Sequence, residues 1–414
     1  MRAGRSVTRV LLLSSCFVLS GVESLVAQSA SSCGSSDWFV VQQTERQGSS
    51  LSTLCRGELD AAEDRREAAE AELRDVIAES PLSASVYAAH STLLHFYFRI
   101  GRFRDANAQM LAMLAARPAA PDLQNVRSLF TLLASSQDLA IVSHHPAIIR
   151  THVIDGNVFA PVTIEGSARA YMLDTGMNLS MMSESEAKSL ALKSHSATTA
   201  VSDISGLSGS GARIVEVDRL LIGGTELRHV PFLVVDDTNG AFVGIPAGQR
   251  GILGIQPLQA LGMLGFRRDS TLSIGATTEP ASNAIPLLFD GELPLSRVVY
   301  HEQQLTVTLD LGATQTTLNP PFAKLFPEVL KEGRSESHTL SGISGNTDQR
   351  SVSLPSLNLT FGRQVDLSPA NILLDETNGT SAYTAANLGY DLMQQARPFT
   401  IDFHRMLVTF PAEH

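Results

Sequence analysis

Cysteine is scarce in this chain. Cys16, Cys33 and Cys55 are the three in 414 residues, which excludes a small scaffold stapled by many disulfides. Basic blocks are missing after the first ten residues, and the formal charge is −11. Phosphate backbones are gripped by clustered Lys and Arg, so nucleic acid is not an expected partner. Long apolar runs are missing too: Val10 to Val18 is broken by Ser14, Ser15 and Cys16. It is shorter than the roughly 20 apolar residues that cross a bilayer, so no membrane span is expected in the mature chain. What remains is ordinary globular material, 43% hydrophobic and 18% charged, long enough for about two or three domains.

The N-terminus has the order of an export signal. Arg2, Arg5 and Arg9 precede the apolar run, and cleavage between Ser24 and Ala30 would remove residues 1–28. The expected location is therefore periplasmic or secreted. Leu13-Ser14-Ser15-Cys16 resembles a lipoprotein box, but the four apolar residues before the serines are too few for anchoring at Cys16. Cys33 and Cys55 then stay in the mature chain, in an N-terminal segment over 29–57. They fit one disulfide or two buried free thiols.

Residues 58–137 are rich in Ala, Leu, Arg and Glu, with apolar positions at helical spacing such as Leu93, Leu94, Phe96, Tyr97 and Ile100. Residues 88–118 resemble a tetratricopeptide helix pair, with Gly101 at the turn, Ala106 at a close contact and Pro118 as the stop. A generic helical bundle accounts for the same pattern. In either case the region is a packing module or a dock for a protein partner, and Phe96, Tyr97 and Phe98 are expected in its core.

Beyond Pro146 the texture becomes β: branched residues alternate with polar ones, and Gly and Ser recur every eight to twelve positions. A Pro-containing stretch over 279–286 reads as a linker between two units, 151–278 and 287–412. Four landmarks recur in both. Asp174-Thr175-Gly176 answers to Asp310-Leu311-Gly312, each after an apolar run. Ser205-Gly206-Leu207-Ser208-Gly209 answers to Ser341-Gly342-Ile343-Ser344-Gly345, both beginning 31 residues after their aspartate (205 against 174, 341 against 310). Asp236-Asp237-Thr238-Asn239-Gly240 answers to Asp375-Glu376-Thr377-Asn378-Gly379, and Ile252-Leu253-Gly254 to Asn387-Leu388-Gly389. Four matches in order imply two copies of one fold, which commonly pack about a pseudo-twofold axis.

Such an axis would bring Asp174 and Asp310 together. Two carboxyls about 3 Å apart do not both ionise; they share a proton, so one serves as base on a water while the other polarises a carbonyl. At this point residues 151–412 resemble the pepsin and retropepsin superfamily of aspartic proteases, in particular the bacterial tandem retropepsin-like type. The resemblance implies a multidomain chain: an N-terminal all-α, tetratricopeptide-like region followed by a mainly-β, two-lobed acid-protease fold. It implies an aspartic endopeptidase acting on a peptide or protein substrate, with Asp174 and Asp310 as catalytic pair. Thr175, Gly176, Leu311 and Gly312 would support the pair from the Asp loops. Flaps over 204–211 and 340–347 would carry Gly206, Gly209, Gly342 and Gly345. Gly254 and Gly389 would lie beneath the Asp loops, and 265–274 and 399–408 would be closing hairpins.

Three positions depart from the family pattern. Leu311 stands where Thr or Ser is expected, Met177 replaces a small residue, and Asn387 interrupts the second apolar-apolar-Gly segment. Lobe 2 is thus the weaker copy, and a second reading stays open: a non-catalytic peptide- or partner-binding protein on a decayed protease fold. Elsewhere the signals are structural. The repeated Thr-Asn-Gly segments read as hairpin turns. His144, His145 and His152 read as linker histidines without further ligands at metal spacing, so no metal is expected. The glycines over 206–211 complete neither a serine-hydrolase elbow nor a dinucleotide fingerprint, and no cofactor is implied.

Overall fold

The structure, a computed structural model, describes residues 33–79, 83–202, 208–275, 283–342, 345–375 and 379–411. The expected export signal, Cys16, Gly206 and both flap tips lie outside them. The chain divides into an N-terminal helical region and a mainly-β region of curled sheets.

Six helices open the fold: α1 (Trp38–Arg46), α2 (Thr53–Ala62), α3 (Arg66–Glu79), α4 (Ala84–Arg99), α5 (Phe103–Ala116) and α6 (Pro121–Ser135). Their starts follow local chemistry. Asp37, Ser52 and Ser83 each accept a hydrogen bond from a first-turn backbone N–H, and Pro121 occupies the first turn of α6, where a missing N–H costs nothing. Gly101 joins α4 to α5 at φ +76°, and a Cβ there would lie 2.5 Å from Leu139 Cβ. Phe96, Tyr97 and Phe98 are buried as expected. Helical structure begins at Trp38, not near residue 58. Trp38, Phe39 and Val41 bury their faces in a cluster with Leu288 and Leu295, which arrive from far along the chain. Cys33 and Cys55 form the disulfide that ties this first segment to α2.

The β region holds two large sheets with one shared order at their centres. In the first, strands run Ser167–Leu173, Gly251–Leu253, Ser180–Ser183, Val230–Val235, Ser208–Val217, Ser194–Ser202. In the second they run Gln303–Leu309, Ala386–Leu388, Thr317–Leu318, Ala370–Leu373, Gly345–Leu354, Arg334–Gly342. A six-stranded sheet bridges the lobes: Asn283–Pro286, Leu407–Phe410, Phe399–Asp402, Met263–Phe266, Thr271–Ile274, Ala147–Arg150. Its middle pair is antiparallel, Met263 opposite Asp402 and Phe266 opposite Phe399, with those two rings stacked at 4.9 Å. Two expectations change here. Asn283–Pro286 is a strand, not linker, because Phe410 through Leu407 supply its partner. His144 and His145 lie in a strand, Ala140–His145, that pairs with Gly224–Arg228, so β structure starts before residue 151.

The helical region packs into the lobes instead of standing apart. One apolar cluster joins Leu129, Phe130 and Leu133 of α6 to Met172, Met177, Met181, Phe242 and Ile252 of lobe 1, and α6 lies against the flap strand Ser194–Ser202. On the other side, Arg99 is buried with its guanidinium 3.8 Å from the Phe289 ring centroid, and burial lowers it to about 10. His95 Nδ1 lies 3.0 Å from Glu292 Oε1, both buried, and Trp38 Nε1 donates to Asp290 Oδ1 at 3.3 Å. Each large apolar side chain in such a cluster contributes about 1.5–3 kcal/mol. A fragment starting at residue 140 is therefore expected to be insoluble or to melt without cooperativity in calorimetry. A soluble fragment with a sharp transition would show that the lobes stand alone.

Candidate active site

Both aspartates are set by the same local construction. The strand Ser167–Leu173 pairs in parallel with Gly251–Leu253, and Asp174 N donates to Leu253 O at 3.0 Å. Gln303–Leu309 pairs in parallel with Ala386–Leu388, and Asp310 N donates to Leu388 O at 2.9 Å. The loops after the aspartates are held from below: Ile255 N donates to Met177 O and Tyr390 N to Ala313 O, each at 2.7 Å. Gly254 and Gly389 are needed at this crossing. A Cβ on Gly254 would lie 2.7 Å from Met177 O, and one on Gly389 would lie 2.5 Å from the Gln315 carbonyl carbon.

The two Asp loops meet face to face. A Cβ on Gly312 would lie 2.2 Å from Asp174 Cγ, and one on Gly176 would lie 2.6 Å from Asp310 Cγ, so each glycine makes room for the opposite carboxyl. Gly176 N donates to Asp174 Oδ1 at 2.9 Å; Gly312 N and Ala313 N donate to Asp310 Oδ1 at 3.0 and 3.1 Å. Thr175 Oγ1 donates to Leu309 O at 2.7 Å and accepts from Leu311 N at 3.0 Å, which ties loop 1 to loop 2. Leu311 is buried and has no hydroxyl with which to return that tie. Asp174 is 0% exposed and Asp310 1%. Burial first, and then the neighbouring Asp310 charge, hold the Asp174 carboxyl well above the usual range.

One further residue belongs to the site, and sequence reasoning had set it down as a flaw. Asn387 Nδ2 donates to Asp310 Oδ2 at 2.9 Å, while Thr308 Oγ1 lies 2.5 Å from Asn387 Oδ1. The signal was available in the repeat: the equivalent positions in lobe 1, Met172 and Ile252, are both apolar, whereas here both are polar.

Of the flap glycines, Gly206 lies outside the described residues. Gly209 pairs with Val201, and Gly342 with Gly345, each near the end of a long hairpin. Asp236 and Asp237 do not make a hairpin turn. Asp236 Oδ1 accepts from Thr238 N, and Asp237 accepts from Ser185 N and Arg250 Nη1, binding the turn to neighbouring elements. His144 Nδ1 pairs with Thr225 Oγ1 at 2.9 Å, and His152 stacks on Phe159. Among the described residues, Glu216, Asp218 and His229 converge within 4.8 Å on a turn of lobe 1, but His229 Nδ1 is already engaged by Glu216 at 2.9 Å.

Thr175→Val keeps the shape and deletes the tie, leaving the buried Leu311 N–H without its acceptor. A loss of about 1–3 kcal/mol is expected in chemical denaturation; no change would mean the loops are held by packing alone. A second expectation follows from the raised Asp174 pKa. Such a group contributes its full stability below the ordinary range near about 4 and loses it as pH rises toward the folded-state value. Asp174→Asn should therefore melt higher than the parent at pH 7, with the gap closing toward pH 4. A gap that widens on acidification would contradict the charge assignment.

Residues 160–256 match the family model described as aspartyl protease. Among solved structures, a retropepsin-like aspartic protease from Rickettsia conorii is similar at 15% identity and a TM-score of 0.23, over 33% of this chain and 93% of that one. No curated protein matches the chain. The segment that matches the aspartyl protease model carries the first Asp loop and its Ile-Leu-Gly strand, and lobe 2 repeats that construction around Asp310.

Proposed function

We propose that this chain is an exported aspartic endopeptidase whose Asp174 and Asp310 activate a water between them. The observation that supports it best is the mutual embedding of the two carboxyls, each lodged where the opposite glycine lacks a Cβ. Two such groups hold one proton between them at working pH. The ionised member takes a proton from water as its oxygen bonds to the scissile carbonyl carbon, and the protonated member gives its proton to the carbonyl oxygen. In the collapse, the first carboxyl returns its proton to the amide nitrogen, and the second takes one from the diol as the C–N bond breaks. The pair ends as it began, with no side-chain nucleophile.

Both carboxyls are sealed from solvent, so a substrate would reach them only after an opening of the surrounding structure. Export rests on the basic and apolar N-terminal residues, and the Cys33–Cys55 disulfide suits an oxidising compartment. The helical region, seated against the flap strand Ser194–Ser202, would govern that opening or receive a protein partner. Among the described residues no helix is long and apolar enough to cross a membrane.

The test is cleavage of an unfolded, casein-like protein by the full mature chain between about pH 4 and 7. Asp174→Asn and Asp310→Asn should each reduce turnover to background. Undiminished cleavage by either variant would end the dyad mechanism. Failure of the parent to cut at any pH, with peptide binding retained, would favour the binding-protein reading.

A further inference from the structure

The two lobes match closely in backbone pairing around their aspartates but differ at one pair of facing side chains. Two residues before each aspartate, the strand meets the first residue of the apolar-apolar-Gly segment: Met172 opposite Ile252 in lobe 1, Thr308 opposite Asn387 in lobe 2. In lobe 1 the pair is apolar and belongs to the cluster under α6. In lobe 2 both members are polar, both are more than nine-tenths buried, and together they form a chain from Thr308 through Asn387 to the Asp310 carboxyl. A buried amide is costly unless its groups are satisfied, and here they are.

We propose that Asn387, oriented by Thr308, is a positioning residue that makes Asp310 the ionised member of the pair and leaves the shared proton on Asp174. The inference rests on the protease reading for its consequence in catalysis, though not for its chemistry. The Thr308 hydroxyl has one proton and lies 2.5 Å from Asn387 Oδ1 against 3.4 Å from Ala386 O, so it marks Oδ1 as the acceptor end of the amide. That turns Nδ2 toward Asp310. The Asp310 carboxyl then meets donors on both oxygens: Gly312 N and Ala313 N on Oδ1, Asn387 Nδ2 on Oδ2. Asp174 receives Gly176 N on Oδ1 at 2.9 Å, while its Oδ2 is buried and meets no donor. Donors favour a carboxylate, and an oxygen without one favours the protonated acid. The titratable group facing Asp310 across the axis is Asp174. Asp391, on the helix Tyr390–Gln395 after Gly389, turns its carboxyl to Thr316 N and Oγ1 at 2.9 and 2.8 Å.

The amide also takes up a task that Leu311 leaves undone. Thr175 ties loop 1 to the backbone of loop 2, and no hydroxyl answers from position 311. Asn387 restrains Asp310 from below instead, through its own lobe. In this reading the polar residue that interrupts the second apolar-apolar-Gly segment is a working part of the site, and the two aspartates have fixed, unequal roles. Asp310 takes the proton from water; Asp174 donates to the carbonyl oxygen.

The experiment compares the full mature chain with Asn387→Leu and Thr308→Val, by the pH profile of kcat/KM on a casein-like substrate and by ¹³C NMR titration of labelled aspartates, with Asp174→Asn to identify the pair. The pair titrates as a unit, so its lower apparent pKa is the quantity read. Removing a donor from the ionised carboxyl makes ionisation harder. Asn387→Leu should therefore move the lower apparent pKa, and the acidic limb of the profile, up by about one unit. Thr308→Val should move both in the same direction by less. An unchanged or lowered value in a folded variant overturns the inference, whether or not the chain cuts protein. If Asn387→Leu does not fold, the Thr308→Val titration decides alone. Conversely, a parent that shows the coupled titration but no cleavage would refute the protease reading and leave the charge assignment to be judged on the NMR shift.

Discussion

The constraint that organises the β region is the contact between the two Asp loops, where a carboxyl from each lobe occupies the space that a side chain would take on the other. Gly312 would place a Cβ 2.2 Å from Asp174, and Gly176 one 2.6 Å from Asp310, so neither loop can shift without moving its counterpart. Much of the fold serves that contact. The six-stranded sheet clamps the lobes at their base, Thr175 laces one loop to the other, and parallel pairs beneath each aspartate set its height. Sealing two carboxyls together raises the energy of charging both, and burial with the Asp310 charge beside it holds Asp174 well above its ordinary range.

The lobes meet this constraint with different side chains. Lobe 1 has the hydroxyl at Thr175 and an apolar pair at Met172 and Ile252 beside it; lobe 2 has Leu311 and the polar pair Thr308 and Asn387. The division follows from what each lobe packs against. Met172 and Ile252 share a cluster with the helical region, where a buried amide would find no partner, whereas Asn387 has Thr308 on one side and Asp310 on the other. The helical region is thus part of the structure that determines lobe 1's chemistry. It touches lobe 2 as well, through Arg99 on Phe289 and His95 beside Glu292.

Sequence by itself determined the parts that depend on local rules. Helical periodicity marked α4 and α5, Gly101 marked their turn, and Asp loops recurring with equal spacing to a later Gly segment marked two equivalent units and their facing aspartates. Those signals survive in one dimension because backbone geometry and side-chain period impose them residue by residue. Only the tertiary structure decided the rest. Helix α1 was not assigned because its buried face is completed by Leu288 and Leu295, and Asn283–Pro286 read as linker because its partner strand is more than a hundred residues away. Asn387 read as a blemish for the same reason: an amide between two apolar neighbours is a fault or a hydrogen-bonding device according to what stands opposite it, and that is fixed by folding, which brings Thr308 and Asp310 to its two ends.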